Sequence, residues 1–266
     1  MAIRNGKLER LIEIPTGDWT FQLNEGGGAV TGTVVAGAKY FLSSGYGGGN
    51  AFLTDMDTVL DGLGGDYTIS FGAGENGTGK VTIARTDGGP ANFAITWVST
   101  ELRDLLGFTQ GNLSGSASYT GDSQAKSLWL PDAPMNSLFG AADKGFYETD
   151  ALATESPSGA VKAFFGNKKQ VNQLSWTGIS HAKCRASAED TTNESFEQFW
   201  LDSILGEQSW AAGPCGPIRV YWDAGDDTAY GDYKVVGEAM RGFNPSMVQD
   251  GWLGLWQIEL DRMVVV

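Results

Sequence analysis

Histidine, cysteine and clustered positive charge are what this sequence has least of. One histidine, His181, and two separated cysteines, Cys184 and Cys215, cannot build a zinc tetrad within one chain or a disulfide framework. Eighteen Lys+Arg face 32 Asp+Glu, a formal charge of −14, and no basic stripe runs along the chain. Counterion-release binding needs clustered Lys and Arg, so a general nucleic-acid binder is excluded. An anionic membrane surface would repel such a chain. No apolar run approaches the ~18 residues of a membrane span. The first residues, Met-Ala-Ile-Arg-Asn-Gly-Lys, lack the apolar core of a secretory signal. The expectation is synthesis in a reducing cytosol, where the sequons at Asn76, Asn112 and Asn193 carry no meaning.

Glycine, by contrast, is abundant: 38 residues of 266, about twice the usual ~7%. Glycine costs ~1 kcal/mol in a helix interior, which argues against a helical bundle, and no G-X-Y period is present for a collagen. The composition suits a mainly β chain with a few short helices, of the α+β class.

Residues 8–23 read as extended, with Trp19, Phe21 and Leu23 alternating at period two. A Gly-rich stretch follows, with a strand near 38–43. Phe52, Met56, Val59, Leu60 and Leu63 recur at helical spacing and predict a helix over 51–63, closed by Gly64-Gly65. Tyr67–Phe71, Val81–Ala84 and Phe93–Val98 predict a three-stranded meander. Ser99 reads as the N-cap of a helix over 99–106, with Gly107 as the left-handed residue past its end and Phe108 folding back. A short strand at 128–131 closes a first domain, residues 1–131. A second, 132–266, has strands expected at Ala160–Phe165, Val171–Ile179, Ile218–Trp222, Tyr230–Val236 and Leu255–Val266, with a helix at Glu194–Leu205 capped by Gly206. Helix, then three strands, occurs in both domains. That order suggests an architectural duplication of antiparallel β-sandwich or barrel units, each flanked by a helix.

Motifs of chemical interest each meet a plain alternative. Gly74-Glu-Asn-Gly-Thr-Gly79-Lys80 approaches a phosphate loop, but Val81 stands where a Mg²⁺-binding hydroxyl belongs, and a strand pattern follows instead of a helix. The Gly72-x-Gly74-x-x-Gly77 fingerprint fails for the same reason. Four carboxylates lie within 223–232 (Asp223, Asp226, Asp227 and Asp232), without the order of a calcium loop; an acidic hairpin tip is the default reading. His181 has no nucleophile elbow to serve, and on a strand Cys184 would face away from it. Trp252 and Trp256 suit a sugar platform, an interface anchor or core packing. No pair of carboxylates is singled out for glycoside hydrolysis. No catalytic, cofactor-binding or metal-binding residue is therefore assigned, and no cofactor is expected.

The run Tyr67-Thr-Ile-Ser-Phe, Gly79-Lys-Val-Thr-Ile, Phe93-Ala-Ile-Thr-Trp97 and Leu102-Arg-Asp-Leu-Leu-Gly-Phe108-Thr resembles structural proteins of tailed bacteriophages and other large DNA viruses, where a hairpin and strand lead into a short helix ending Leu-Gly-Phe. The resemblance covers 51–131, about a third of the chain. It implies a non-enzymatic virion protein of the tail, baseplate or neck, arranged in rings with copies of itself and other virion proteins. A glycan-binding or capsid-decorating β module and a β-rich carbohydrate-active enzyme are the alternatives. The last strand, 255–266, has one nearly all-apolar face; as a terminal edge strand it is expected to be covered by a neighbouring subunit.

Overall fold

A computed structural model describes residues 5–17, 19–44, 49–72, 78–89, 92–137, 146–155, 161–185, 194–202, 216–235, 246–249 and 255–265, and of those within 136–172, at 235, in 246–249 and in 261–265 the backbone alone. In chain order the first half holds β1 (Lys7–Arg10), β2 (Ile12–Ile14), β3 (Thr20–Asn24), β4 (Ala29–Thr33), β5 (Gly37–Lys39), α1 (Phe52–Asp61), β6 (Tyr67–Phe71), β7 (Val81–Arg85), β8 (Phe93–Trp97), α2 (Thr100–Leu105), β9 (Leu113–Ser116), β10 (Ser118–Thr120) and β11 (Leu128–Trp129). The second half holds β12 (Met135–Ser137), β13 (Phe146–Glu155), β14 (Val161–Ile179), α3 (His181–Cys184), α4 (Phe196–Trp200), β15 (Ile218–Tyr221), β16 (Tyr230–Val235), β17 (Ser246–Gln249) and β18 (Leu255–Val265). The chain is mainly β with short helices, as its composition predicts.

Strand β3 carries the first core because Phe21 and Leu23 alternate with polar residues and point inward. Sheet order there is β4-β3-β8-β9, and a second sheet runs β10-β7-β6. Ile83 and Val81 from the second sheet, Ile95 and Phe93 from the first, and Phe52, Met56 and Leu60 from α1 meet in one apolar cluster. The expected meander is corrected here. β6 and β7 form a hairpin, but β8 leaves them and pairs with β3, while β10 takes the open edge of β7. The connection after β7 explains the departure. Arg85 forks onto Asp87 (Nε–Oδ1 2.6 Å, Nη2–Oδ2 2.9 Å), and Asp87 also accepts from the Gly89 amide. That turn is held by side chains and not by a tight hairpin ladder.

Helix α2 ends as predicted. Ser99 Oγ accepts from the Leu102 amide at 3.2 Å, Gly107 has φ +81°, its N–H reaches Asp104 O, and the Phe108 N–H reaches Arg103 O. These are the two bonds of a Schellman motif. Helix α1 is shorter than expected and ends on Gly62 in right-handed conformation. Gly64 and Gly65 do not close it; a Cβ at either would lie within 2.6 Å of Glu25, Asp87 or Arg85 side-chain atoms. They are glycines because an ionic cluster packs against their backbone.

The large sheet has the order β11-β1-β15-β16-β18-β14-β12, with β13 on β14 and β17 on β18. Strands β1 and β11 thus come from 1–131 and pair into the sheet of the second half, across the domain division read from the sequence. The strands expected at 160–165 and 171–179 are one strand, β14. The second half puts β15, β16 and β18 side by side, whereas β6, β7 and β8 are split between sheets, so the two halves do not repeat one another. Helix α4 lies inside the predicted 194–205, with Ser195 Oγ capping the Gln198 amide; Gly206 lies outside the described residues.

The C-terminal strand is a correction too. Trp256, Ile258 and Leu260 are buried and Glu259 exposed, as the alternation predicts. However, β18 has β14 on one edge and β16 and β17 on the other. It is therefore an interior strand, flanked on both edges at Leu255–Gln257 and at Met263–Val265, and not the terminal edge strand expected from the sequence. Val266 itself lies outside the described residues.

Ser99→Ala is expected to lower stability by ~1 kcal/mol through loss of the cap. Gly107→Val should lower it further, because a β-branched residue resists positive φ and its Cβ would lie 2.3 Å from Ser123 O. Urea denaturation compares the two; a Gly107→Val midpoint equal to wild type would contradict the motif.

A candidate site at the seam of the large sheet

Strand β1 is buried along its whole length although its sequence is Lys-Leu-Glu-Arg. Alternation sends Leu8 and Arg10 to one face and Lys7 and Glu9 to the other. Leu8 enters the apolar cluster of the second half with Trp129, Ile218 and Val220. The opposite face is polar, and register extends it across three strands. Glu9 lies beside Arg219 and Arg219 beside Asp232; Lys7 lies beside Tyr221 and Tyr221 beside Tyr230. These two cross-strand rows face the segment Tyr40–Ser44.

Each polar group in the rows is engaged. One Glu9 oxygen accepts from the amides of Phe41 and of Leu42 (2.8 Å), the other from the Tyr221 hydroxyl. Ser43 Oγ lies 2.5 Å from Tyr221 Oη. Arg219 donates from Nε and Nη2 to Asp232 (2.7 and 2.8 Å). Its Nη1 reaches Ser43 Oγ at 2.7 Å and the carbonyls of Ser43 and Ser44. The guanidinium lies between the rings of Tyr40 and Tyr230, 3.9 and 3.8 Å from their centroids, the planar stacking that suits arginine. Lys7 Nζ donates to Ala224 O at 2.9 Å and pairs with Asp227.

Burial pushes the Glu9 carboxyl up to about 7, against the pull of its hydrogen bonds from Tyr221 and the two amides and of the Arg219 charge. Burial and the Glu9 carboxylate together drive the Tyr221 hydroxyl well above its ordinary range. On the other face of β1, burial lowers Arg10 to about 10 while the charges of Asp202 and Glu194 oppose it. Burial raises Glu194 well above the carboxylate range.

A cleft of about 480 Å³ opens beside the seam, lined among others by Ser43, Ser44, Asn50, Thr54, Asp227, Thr228 and Tyr230. A neighbouring hollow of about 280 Å³ shares Thr54 and Asp227 with it. Hydroxyls, an amide, a carboxylate and an aromatic ring therefore border one concave surface. The seam itself is a clamp: Glu9 and Arg219 hold Tyr40–Ser44 against the sheet, and their polar atoms are occupied in doing so.

The motifs noticed in the sequence lie elsewhere or come apart. The 72–80 connection joins β6 to β7, with Gly72 N–H donating to Lys80 O and Gly79 N–H to Gly72 O; its tip, 73–77, is outside the described residues. Lys80 Nζ donates to Asp122 O at 2.8 Å, and a strand follows where a phosphate loop needs a helix. The four carboxylates of 223–232 do not converge. Asp227 serves Lys7, Asp232 serves Arg219, Asp223 accepts from the Gly225 amide and Asp226 from Thr228. Among the described residues no group of three His, Cys, Asp or Glu side chains could hold a metal. His181 and Cys184 are on the short helix α3 and not on a strand. There His181 is exposed, its ring 5.8 Å from that of Trp256, and Cys184 is buried with its thiol pushed up to about 12 by burial. Trp256 is 9% exposed and packs in the core of the large sheet. Cys215 and Trp252 lie outside the described residues.

Sequence reasoning missed the seam. Its signal was Lys7-x-Glu9, Arg219-x-Tyr221 and Tyr230-x-Asp232, polar pairs at period two on three strands. Comparison with protein-family models, with curated proteins and with solved structures finds no match to this chain.

Glu9 titrates near 4.5 when unfolded and near 7 when folded. The folded chain binds the extra proton between those values, so the Glu9 contribution to stability is lost as pH rises from about 5 to about 8. Glu9→Gln keeps the shape, and its stability should lack that component. Urea midpoints of the two proteins should converge or cross over this window; a constant difference would contradict the buried, protonated carboxyl. Arg219→Met should destabilise by about 1–3 kcal/mol in the same urea series, because it leaves the partly exposed Asp232 carboxylate and the carbonyls of Ser43 and Ser44 without their donor.

Proposed function

We propose that this chain is a non-enzymatic structural component of a virion, in a phage tail, baseplate or neck. It works through contacts with copies of itself and with other virion proteins, after synthesis in the host cytoplasm. One observation carries the reading. Strand β13 pairs with the first part of β14, from Phe146↔Val171 to Glu155↔Val161, whereas the pairing of β14 with β18 covers only Val171 to Ile179. The ribbon thus continues past β18 without a third strand among the described residues. A two-stranded ribbon is marginal in water by itself, and a contact with another subunit supplies the surface it lacks. The resemblance of residues 51–131 to virion proteins supports this kind of particle. The acidic composition suits protein contacts and neither nucleic acid nor an anionic membrane, and no described helix is long and apolar enough to cross a bilayer.

The cleft beside Tyr230 favours a second reading, a glycan-binding or capsid-decorating module, because hydroxyl, amide and carboxylate groups beside an aromatic ring are the groups that recognise a sugar. Negative-stain microscopy and sedimentation separate the two. Rings, tubes or discrete multimers are expected from the purified protein. Replacing residues 150–167 by Asn-Gly, which joins the paired Thr149 and Lys168 through a two-residue turn, should reduce assembly and leave the melting transition in place. A monodisperse monomer for both proteins would refute the assembly reading, and saturable binding on a glycan array would move support to the second.

A further inference from the structure

The sheet β4-β3-β8-β9 carries no charged side chain on any of its four strands, in a chain where 19% of residues are charged and the net charge is −14. Its outer face presents Thr20, Gln22, Thr31, Thr33, Thr96 and Val98. Among the described residues the exposed large hydrophobics are Val30 (48%), Val35 (51%), Val98 (57%) and Tyr230 (36%). The three valines all belong to this sheet or to the residues that directly continue its strands.

Strand β4 is the edge of that sheet. Which of its backbone groups are open follows from one bond. Val34 N–H donates to Trp19 O at 2.9 Å, so by the two-residue alternation of an antiparallel ladder Gly32 and Val30 also turn their N–H and C=O toward β3. Ala29, Thr31 and Thr33 turn theirs outward. Natural edges are blunted by lysine, proline, a bulge or a covering element. Ala29–Val35 contains no charge and no proline, its register with β3 is continuous, and Ala29, Thr31 and Thr33 are exposed.

We propose that β4 is a self-pairing edge, joined antiparallel to β4 of a second copy about a two-fold axis at Thr31. Charge and symmetry select a second copy as the occupant. A basic partner would be drawn to the acidic surfaces, whereas two chains of −14 approach with least repulsion where neither presents charge. In the two-fold register Thr31 faces Thr31 and Ala29 faces Thr33, so the outward N–H groups of each copy meet the outward carbonyls of the other. The contact is isologous and self-complementary. The four-stranded sheet becomes one continuous sheet, with the half-exposed Val30 at the joint. This inference rests on the reading of the chain as a self-assembling component and identifies one of its contacts.

Thr31→Pro removes an outward N–H without touching the pairing with β3, and Thr31→Glu keeps the N–H but sets two like charges opposite each other. Light scattering should give the full-length chain a mass of two copies or an even multiple, and each variant half that mass or less, with an unchanged far-UV spectrum. Hydrogen exchange at Ala29, Thr31 and Thr33 should slow as concentration rises. If Thr31→Pro fails to fold, Thr31→Glu decides. Variants that assemble to the wild-type mass overturn this interface while leaving the assembly reading intact. A wild-type chain that is monomeric at every concentration overturns both.

Discussion

The pairing of β1 with β15 is the constraint on which the rest of the structure depends. It inserts four residues from the start of the chain, Lys7–Arg10, between β11 and β15 of the large sheet. Both faces of that strand are covered. Leu8 contributes to the second apolar cluster, and Glu9 reaches back to the amides of Phe41 and Leu42, next to the first. Two apolar clusters with no buried residue in common among the described residues are joined through this strand.

The polar face of that strand is instructive about how a chain of −14 buries charge. Burying an ion without a partner is expensive, and burying a matched, hydrogen-bonded pair is roughly neutral. Glu9, Arg219 and Asp232 lie in one cross-strand row, and the remaining donors of Arg219 are met by the carbonyls of Ser43 and Ser44. Such an arrangement adds little net stability over apolar packing. What it fixes is the conformation of Tyr40–Ser44, since another path for that segment would take the Phe41 and Leu42 amides from one Glu9 oxygen and the Ser43 and Ser44 acceptors from Arg219 Nη1. The cluster of Glu25, Tyr67, Arg85 and Asp87 does the same for the turn after β7, and Gly64, Gly65 and Gly89 have no Cβ because that cluster occupies the space.

These clamps leave other parts of the molecule available for contact. The charge-free sheet edge at β4 and the two-stranded ribbon of β13 and β14 present backbone groups outward. A chain organised around clamps within and open edges outside fits a role in which the product is a set of contacts. The polar cleft beside Tyr230 is a concave surface next to the clamp, and a small ligand there would meet Leu42, Ser43 and Ser44 of the clamped segment.

Local physics decided what the sequence could show. The composition excluded a helical bundle. The helix over 99–106 was legible with both its ends, because Ser99, Gly107 and Phe108 act within one turn of it. The 72–80 hairpin and the inward face of the last strand followed from period-two alternation. Sheet membership was not legible: Phe93–Trp97 follows its predicted hairpin in sequence yet pairs with Thr20–Asn24, and the last strand proved interior instead of an edge. Alternation fixes which side of a strand is buried but says nothing of which strand lies beside it. The seam was hidden for a related reason. Lys7, Glu9 and Arg219 read as surface residues when taken singly, and only the tertiary structure makes their burial tolerable: register sets Glu9 beside Arg219 and Arg219 beside Asp232, and the loop after β15 brings Asp227 to Lys7.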